Sequence, residues 1–356
     1  MKIRKILGLG LALLLAGPSI AFADEIVYYD NSNLDKVLVE NGIKVDTNKI
    51  SARRQAEIAK NNDQGRQNLT KETKEAIKEV KEEKAPVLYP KTAVYSNVVD
   101  ISEHQKPSAI NYDKFAKDIE GAILRSSITT FKEDEKTKEK TYYLRKDFTV
   151  DTHYDNLNRR GVPIGFYHYS RATNEEEARK EANFVLDFVK GKNVSLPIYI
   201  DIEDNLRQAK AGRENLSRAA DAFINTMKAK GYLAGIYSYP HFAKNHLTRE
   251  VRNNNEFWIA DYKAKNYTGY TDTDFDVWQY AHTGRVNGYN GNIDKNILYR
   301  DYPLIIKGRS YKDMDKLVQE IMDGYWSYGK ERERRLTYAG YDYNIIQKEV
   351  NKRLRG

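Results

Sequence analysis

Leu196-Pro197-Ile198-Tyr199-Ile200-Asp201-Ile202-Glu203 is a run of apolar residues that takes up charge only towards its end. A segment this short and this continuously apolar reads as a strand buried on both faces, the mark of a parallel sheet covered by helices. The pattern recurs on either side. Strands are expected at Asn97 to Ile101, Gly121 to Ser126, Pro163 to Ser170, Ala234 to Tyr239, Phe257 to Tyr262 and Asp276 to Tyr280, with a short one around Asn292 to Ile293. Amphipathic helices lie between them. From Asn174 to Lys190, Thr173 and Glu176 read as a capping box, and Ala178, Ala182, Val185 and Val189 trace one face. From Ser217 to Lys230, Ala220, Phe223, Ile224 and Met227 do the same, and Gly231 is the stop. Roughly eight strands alternating with helices make the fold class α/β, an irregular (β/α) barrel of the TIM-like type.

In such a barrel the reactive groups sit at the C-terminal ends of the strands. Four carboxylates are expected there: Asp100, Asp201, Glu203 and Asp294. Asp201 and Glu203 are two apart, so their side chains leave one face with Cα atoms about 6.5–7 Å apart. Like charges that close favour a raised pKa on one of them, which suits a general acid. Asp204 reads instead as a cap or a solvent-facing residue. Paired carboxylates in a tyrosine-rich chain point to glycosidic bond hydrolysis. A Mg²⁺ or Ca²⁺ site is the chemical competitor for a four-carboxylate cluster; the preferred reading calls for no metal and no cofactor. The six histidines are scattered, and no H-E-x-x-H, G-x-S-x-G or Walker lysine motif occurs.

The 356 residues contain 27 tyrosines and no cysteine. That excludes disulfide frameworks, cysteine nucleophiles and Cys-ligated metals. Lys2, Arg4 and Lys5 precede an apolar run from Ile6 to Leu15, and Ala21-Phe22-Ala23 offers a cleavage pattern, so residues 1–23 read as a secretory signal peptide; an uncleaved anchor is the competing reading. Removing them lowers the net charge from +8 to +5. Residues 24–94 are mostly a charged spacer, helical or disordered, with balanced charges and too few apolar heptads for a coiled coil. The barrel is expected over 95–306 and a three-helix module over 310–356, where Met314, Leu317, Val318, Ile321 and Met322 trace one stripe and Tyr343, Ile346, Val350 and Leu354 another behind Asp342 as N-cap. The diffuse charge lacks the basic patch that nucleic-acid binding needs, and no membrane partner is expected once the leader is gone.

Val98-Val99-Asp100-Ile101-Ser102-Glu103-His104-Gln105, Gly165-Phe166-Tyr167-His168-Tyr169-Ser170, Tyr199-Ile200-Asp201-Ile202-Glu203, Ile236-Tyr237-Ser238, Phe257-Trp258-Ile259-Ala260-Asp261-Tyr262, Val277-Trp278-Gln279-Tyr280 and Gly291-Asn292-Ile293-Asp294 resemble, in order and spacing, the glycoside hydrolase family 25 lysozymes. The resemblance covers about 97 to 303. It implies an N-acetylmuramidase cutting the β-1,4 bond between N-acetylmuramic acid and N-acetylglucosamine, with Glu203 as proton donor and later base and Asp201 assisting the substrate's acetamido group. Asp100 and Asp294 would tune pKa values and hold hydroxyls or water. Tyr167, Tyr237, Trp258, Gln279 and Tyr280 match positions for a sugar platform, with core packing the alternative for each aromatic. Trp278 reads as core, and Arg125 as a substrate contact or a carboxylate partner. Lys106 in place of a usual Gly, and a charged loop from Phe131 to Lys140, depart from the family's pattern.

The C-terminal segments Leu317-Val318-Gln319-Glu320-Ile321-Met322-Asp323-Gly324-Tyr325-Trp326 and Ala339-Gly340-Tyr341-Asp342-Tyr343 resemble the choline-independent cell-wall-binding repeat of certain lysins. Muropeptides are the implied ligand, and Arg334, Arg335 and Tyr341 the candidate contacts; a helical cap on the barrel end is the other reading. Together these imply a secreted, monomeric protein acting on peptidoglycan glycan strands at a Gram-positive cell wall. A catalytically silent wall-binding protein and a hydrolase of chitin-like polymers remain as alternatives.

Overall fold

The structure, a computed structural model, describes residues 91–263 and 275–355, together with the backbone of two short strands, Ser19–Phe22 and Glu25–Tyr28, which pair antiparallel. The leader expected at 1–23 and nearly all of the spacer expected at 24–94 lie outside the described side chains. Residues from Leu88 to Gly356 fall in one unit.

Nine strands order the described residues of this unit: β1 (Tyr95–Ile101), β2 (Gly121–Glu133), β3 (Lys140–Lys146), β4 (Ile164–Tyr169), β5 (Ile198–Asp201), β6 (Ala234–Ser238), β7 (Glu256–Ala260), β8 (Val277–Val286) and β9 (Tyr289–Leu298). They hydrogen-bond in the order β1-β9-β8-β7-β6-β5-β4-β2-β3, and a further pairing of β1 with β2 closes eight of them into a ring, leaving β3 outside it. Seven ring strands run parallel, while β9 is antiparallel to both neighbours. The irregular α/β barrel expected from the sequence is therefore present.

Two segments differ from expectation. The short strand around Asn292 is part of the ten-residue β9, joined to β8 by a tight turn at Gly288. The charged loop at Phe131 to Lys140 is a hairpin: Ile128, Thr129, Thr130 and Phe131 pair with Arg145, Leu144, Tyr143 and Tyr142, and β-branched and aromatic pairs hold such ladders. Only the stretch from Asp134 to Glu139, between the arms, is loop-like. There the Asp134 side chain accepts the Lys136 and Thr137 amides, the local bonding that makes Asp a turn residue.

Among the helices, α1 (Tyr112–Asp118), α2 (Val150–Asn158), α3 (Glu175–Val189) and α4 (Arg213–Lys228) cover the outer face of the sheet. Asn174, not Thr173, caps α3 by accepting the Glu177 amide, and Glu177 rather than Glu176 reaches back to the Thr173 amide. The four residues expected to trace one face of α3 are all buried, as are Ala220, Phe223, Ile224 and Met227 of α4. They pack on Ile101, Leu124, Phe166, Ile200, Ile236 and Ile259, the outward residues of the strands.

The inward residues form layers. Val98, Ile123, Tyr199, Trp258, Val277 and Leu298 make a floor, continuous with Leu317, Val318, Ile321, Trp326, Leu336, Ile346 and Val350 of the C-terminal helices α8 (Met314–Met322), α9 (Gly329–Ala339) and α10 (Tyr343–Leu354), which follow α5 (Pro240–His246), α6 (Arg249–Asn253) and α7 (Tyr302–Lys307). At Gly235 of β6 a Cβ would stand 2.2 Å from the Glu256 carbonyl oxygen, so glycine permits the close approach of β6 to β7. The three expected C-terminal helices are present, with Asp342 capping α10 through the Asn344 and Ile345 amides. Met314, Met322 and Leu354, expected on their apolar stripes, are exposed. They lie at helix ends, beyond the reach of the floor.

Candidate active site

Alternation along the strands lifts a second inward layer above the floor: Asp100 on β1, Arg125 on β2, Tyr167 on β4, Asp201 at the end of β5, Tyr237 on β6, Gln279 on β8, and Asp294 and Asn296 on β9. Glu203 follows two residues beyond Asp201. The four carboxylates named from the sequence are thus gathered at one mouth. Asp294 reaches it by a different route from the one expected, because it sits mid-strand on an antiparallel β9, in direct register with Asp100.

Asp100 is buried, and its Oδ2 accepts from Gln279 Nε2 at 2.9 Å and Asn296 Nδ2 at 2.8 Å. Asn296 Oδ1 in turn accepts from Trp258 Nε1 at 2.8 Å, and Gln279 Oε1 accepts the hydroxyls of Tyr237 at 3.0 Å and Tyr262 at 2.6 Å. Burial raises the Asp100 pKa despite these donors. Burial, the Asp100 charge and a hydrogen bond to Asp100 push Asp294 up to about 8, so the two carboxyls share a proton at neutral pH.

Asp201 Oδ1 is buried without a hydrogen-bond partner. Burial, and then the Glu203 charge, hold this carboxyl well above the usual range, opposed by Arg125 and Arg171. Burial and the Asp204 charge raise Glu203. Asp204 caps the next turn, as expected, by accepting the Arg207 amide at 3.0 Å, but it is buried rather than facing solvent.

Several expected ligand contacts do other work. Trp258 is 1% exposed and lies beneath the carboxylates, with the Tyr237 ring 4.5 Å and the Tyr167 ring 6.0 Å from its own; it serves the site through Asn296. Tyr280 is on the opposite strand face from Gln279 and packs 5.9 Å from Trp278, the residue read as core. Arg125 pairs with Glu103 and Asp147, each at 2.8 Å. In the repeat, Tyr341 is buried and donates its hydroxyl to Asp301 Oδ2 at 2.9 Å, while Arg334 and Arg335 both pair with Glu331 and Arg335 also donates to Thr92 Oγ1. The Tyr341–Asp301 bond ties the repeat to the barrel. Sequence reasoning missed Asn296 and Tyr262. Asn296 is two residues past Asp294, so alternation along a longer β9 would have found it.

Residues 99–289 match the family model described as glycosyl hydrolases family 25, and residues 315–354 match the CW_7 repeat. The chain belongs to glycosyl hydrolase family 25. Its similarity to the lysozyme of Streptococcus phage Cp-7 is 30% identity over 261 residues, covering 71% of this chain and 68% of that one. To the autolytic lysozyme of Clostridium acetobutylicum it is 30% over 183 residues, 50% of this chain and 53% of that one. Among solved structures, the modular autolysin LytC from Streptococcus pneumoniae, in complex with a synthetic peptidoglycan ligand, aligns at 24% identity with a TM-score of 0.47, covering 58% of this chain and 47% of that one. As a member of family 25 the chain is a glycoside hydrolase of the lysozyme kind.

Proposed function

We propose that this family 25 hydrolase is an exported muramidase that cuts the β-1,4 bond from N-acetylmuramic acid to N-acetylglucosamine, with Glu203, Asp201, Asp100 and Asp294 as its working carboxyls. The observation that carries the reading is the unpartnered, buried Oδ1 of Asp201 two residues from a Glu203 carboxyl whose pKa burial raises. A substrate acetamido N–H arriving at Asp201 supplies the missing donor. That hydrogen bond favours the carboxylate form of Asp201, as Arg125 and Arg171 already do, and leaves the pair's proton on Glu203.

Glu203 then protonates the glycosidic oxygen as the C1–O bond breaks. The acetamido oxygen, its N–H held by Asp201, closes on C1 and compensates the charge. Water next attacks C1 while Glu203 takes back a proton, and net retention results. Asp100 and Asp294, on the facing wall, hold sugar hydroxyls or that water. The export implied by Lys2, Arg4, Lys5 and the following apolar run, and wall binding by the repeat, belong to the same proposal.

Incubation with Gram-positive walls tests it. New muramic-acid reducing ends are expected; N-acetylglucosamine reducing ends, or no cleavage, would overturn it.

A further inference from the structure

Phe148 is 77% exposed, the most exposed of the large apolar side chains among the described residues. A lone exposed phenylalanine is ordinary. What sets this one apart is its mount. The guanidinium of Arg145 lies 4.2 Å from its ring centre, covering one face, and is fixed to Glu103 by two hydrogen bonds of 2.8 and 2.7 Å. Glu103 also pairs with Arg125, and Arg125 with Asp147, the residue before Phe148. Asp147 is buried, accepts the Glu103 and Thr149 amides, and binds the Thr149 hydroxyl. The Glu103 carboxyl is held down to about 2, chiefly by its hydrogen bond from Arg145, so this network keeps its charges across the working pH range.

The ring order of the strands gives the mount a direction. β7, which leads into the half-exposed Tyr262, and β2, whose Arg125 anchors the Phe148 mount, are four strands apart whichever way the eight-stranded ring is counted. β5, with Asp201 and Glu203 at its end, and β9, with Asp294, are likewise four apart. The carboxylates thus face one another across the mouth, and the aromatics mark the two ends of the perpendicular line between those walls. A sugar chain laid between the acid pair and the Asp100–Asp294 pair would pass from the Tyr262 side of the ring to the β2 side that carries the Phe148 mount.

We propose that Phe148, backed by Arg145, is an outlying glycan subsite, whose free face stacks on the apolar C–H face of a pyranose distant from the scissile bond. An aromatic ring offers that face a flat, negatively polarised surface, and one already fixed in place loses little freedom on binding. This subsite rests on the muramidase reading above, and it predicts a preference for long strands.

Cleavage of glycan strands of defined length, with and without stem peptides, by wild-type, Phe148→Ala and Phe148→Trp proteins tests it. In Phe148→Ala the ratio of kcat/KM for long strands to that for the shortest cleavable strand is expected to fall about tenfold, through KM, on both kinds of strand, and Phe148→Trp should restore it. An unchanged ratio, or a fall confined to strands that keep their stems, overturns the subsite. Wild-type failure to cleave either strand counts against the muramidase reading instead, and the length dependence of binding to protein carrying Glu203→Gln, with and without Phe148→Ala, still decides the subsite.

Discussion

Asp100 and Asp294 are direct cross-strand partners in the antiparallel pairing of β1 with β9, and both side chains turn into the barrel mouth. Two carboxyls placed so cannot both ionise at neutral pH, and Asp294 is pushed up to about 8 by burial and by Asp100. Between about pH 4, where an unfolded carboxyl titrates, and about 8, the folded protein therefore holds a proton that the unfolded chain has released. Stability contributed by this pair falls as pH rises through that window and levels off above it. Asp294→Asn should flatten the decline of the melting temperature from pH 5 to 8 and lower activity about tenfold. An unchanged pH slope would count against a shared proton.

Glu203→Gln removes the proposed proton donor without leaving a buried charge. kcat should fall by about 10²–10⁴-fold while the melting temperature holds or rises, as read by reducing-end release and thermal unfolding.

Trp258→Phe separates a supporting role from a platform role. The substitution keeps an aromatic ring in the floor but deletes the donor to Asn296, leaving that buried amide oxygen unpaired at a cost of about 1–3 kcal/mol. Stability and kcat should both drop, kcat about fivefold, with KM unchanged. A rise in KM alone would return Trp258 to direct sugar contact.

Ile321→Ala tests whether the C-terminal repeat is an independent body. Ile321 is fully buried in the cluster that also contains Val98, Ile123 and Leu298 of the barrel floor. The truncation should cost about 2–5 kcal/mol, and the barrel and repeat should melt in one shifted transition. Two separate transitions would contradict the shared core.

Much of this was legible in the sequence because the parallel strands are short apolar runs and the carboxylates stand at their ends. Asp100, Asp201 and Glu203 follow from that alone. Asp294 was found for the wrong geometric reason, since the chain direction of β9 is decided by its tight turn with β8 and leaves no periodic trace. Tyr280 and Trp258 show a second limit. Sequence places an aromatic beside a motif, but strand parity and layer depth decide whether it meets solvent, floor or helix. Tyr341, a candidate wall contact, meets the same limit: it is buried, and its hydroxyl donates to Asp301 of the barrel. The hairpin was hidden because the charges of its turn outweighed the Thr and Tyr residues of its arms.

The four gathered carboxyls open at one end of the barrel, and the repeat is bolted to the other, where Asp301 accepts from Tyr341 and the Lys312 ammonium reaches the Val94 carbonyl. The seven residues of β1 separate the two ends by about 20 Å. If the repeat grips the wall as proposed, the polymer it holds is not the polymer entering the mouth. Cuts then fall on neighbouring filaments around a fixed anchor, and damage spreads through the thickness of the mesh instead of travelling along a single thread.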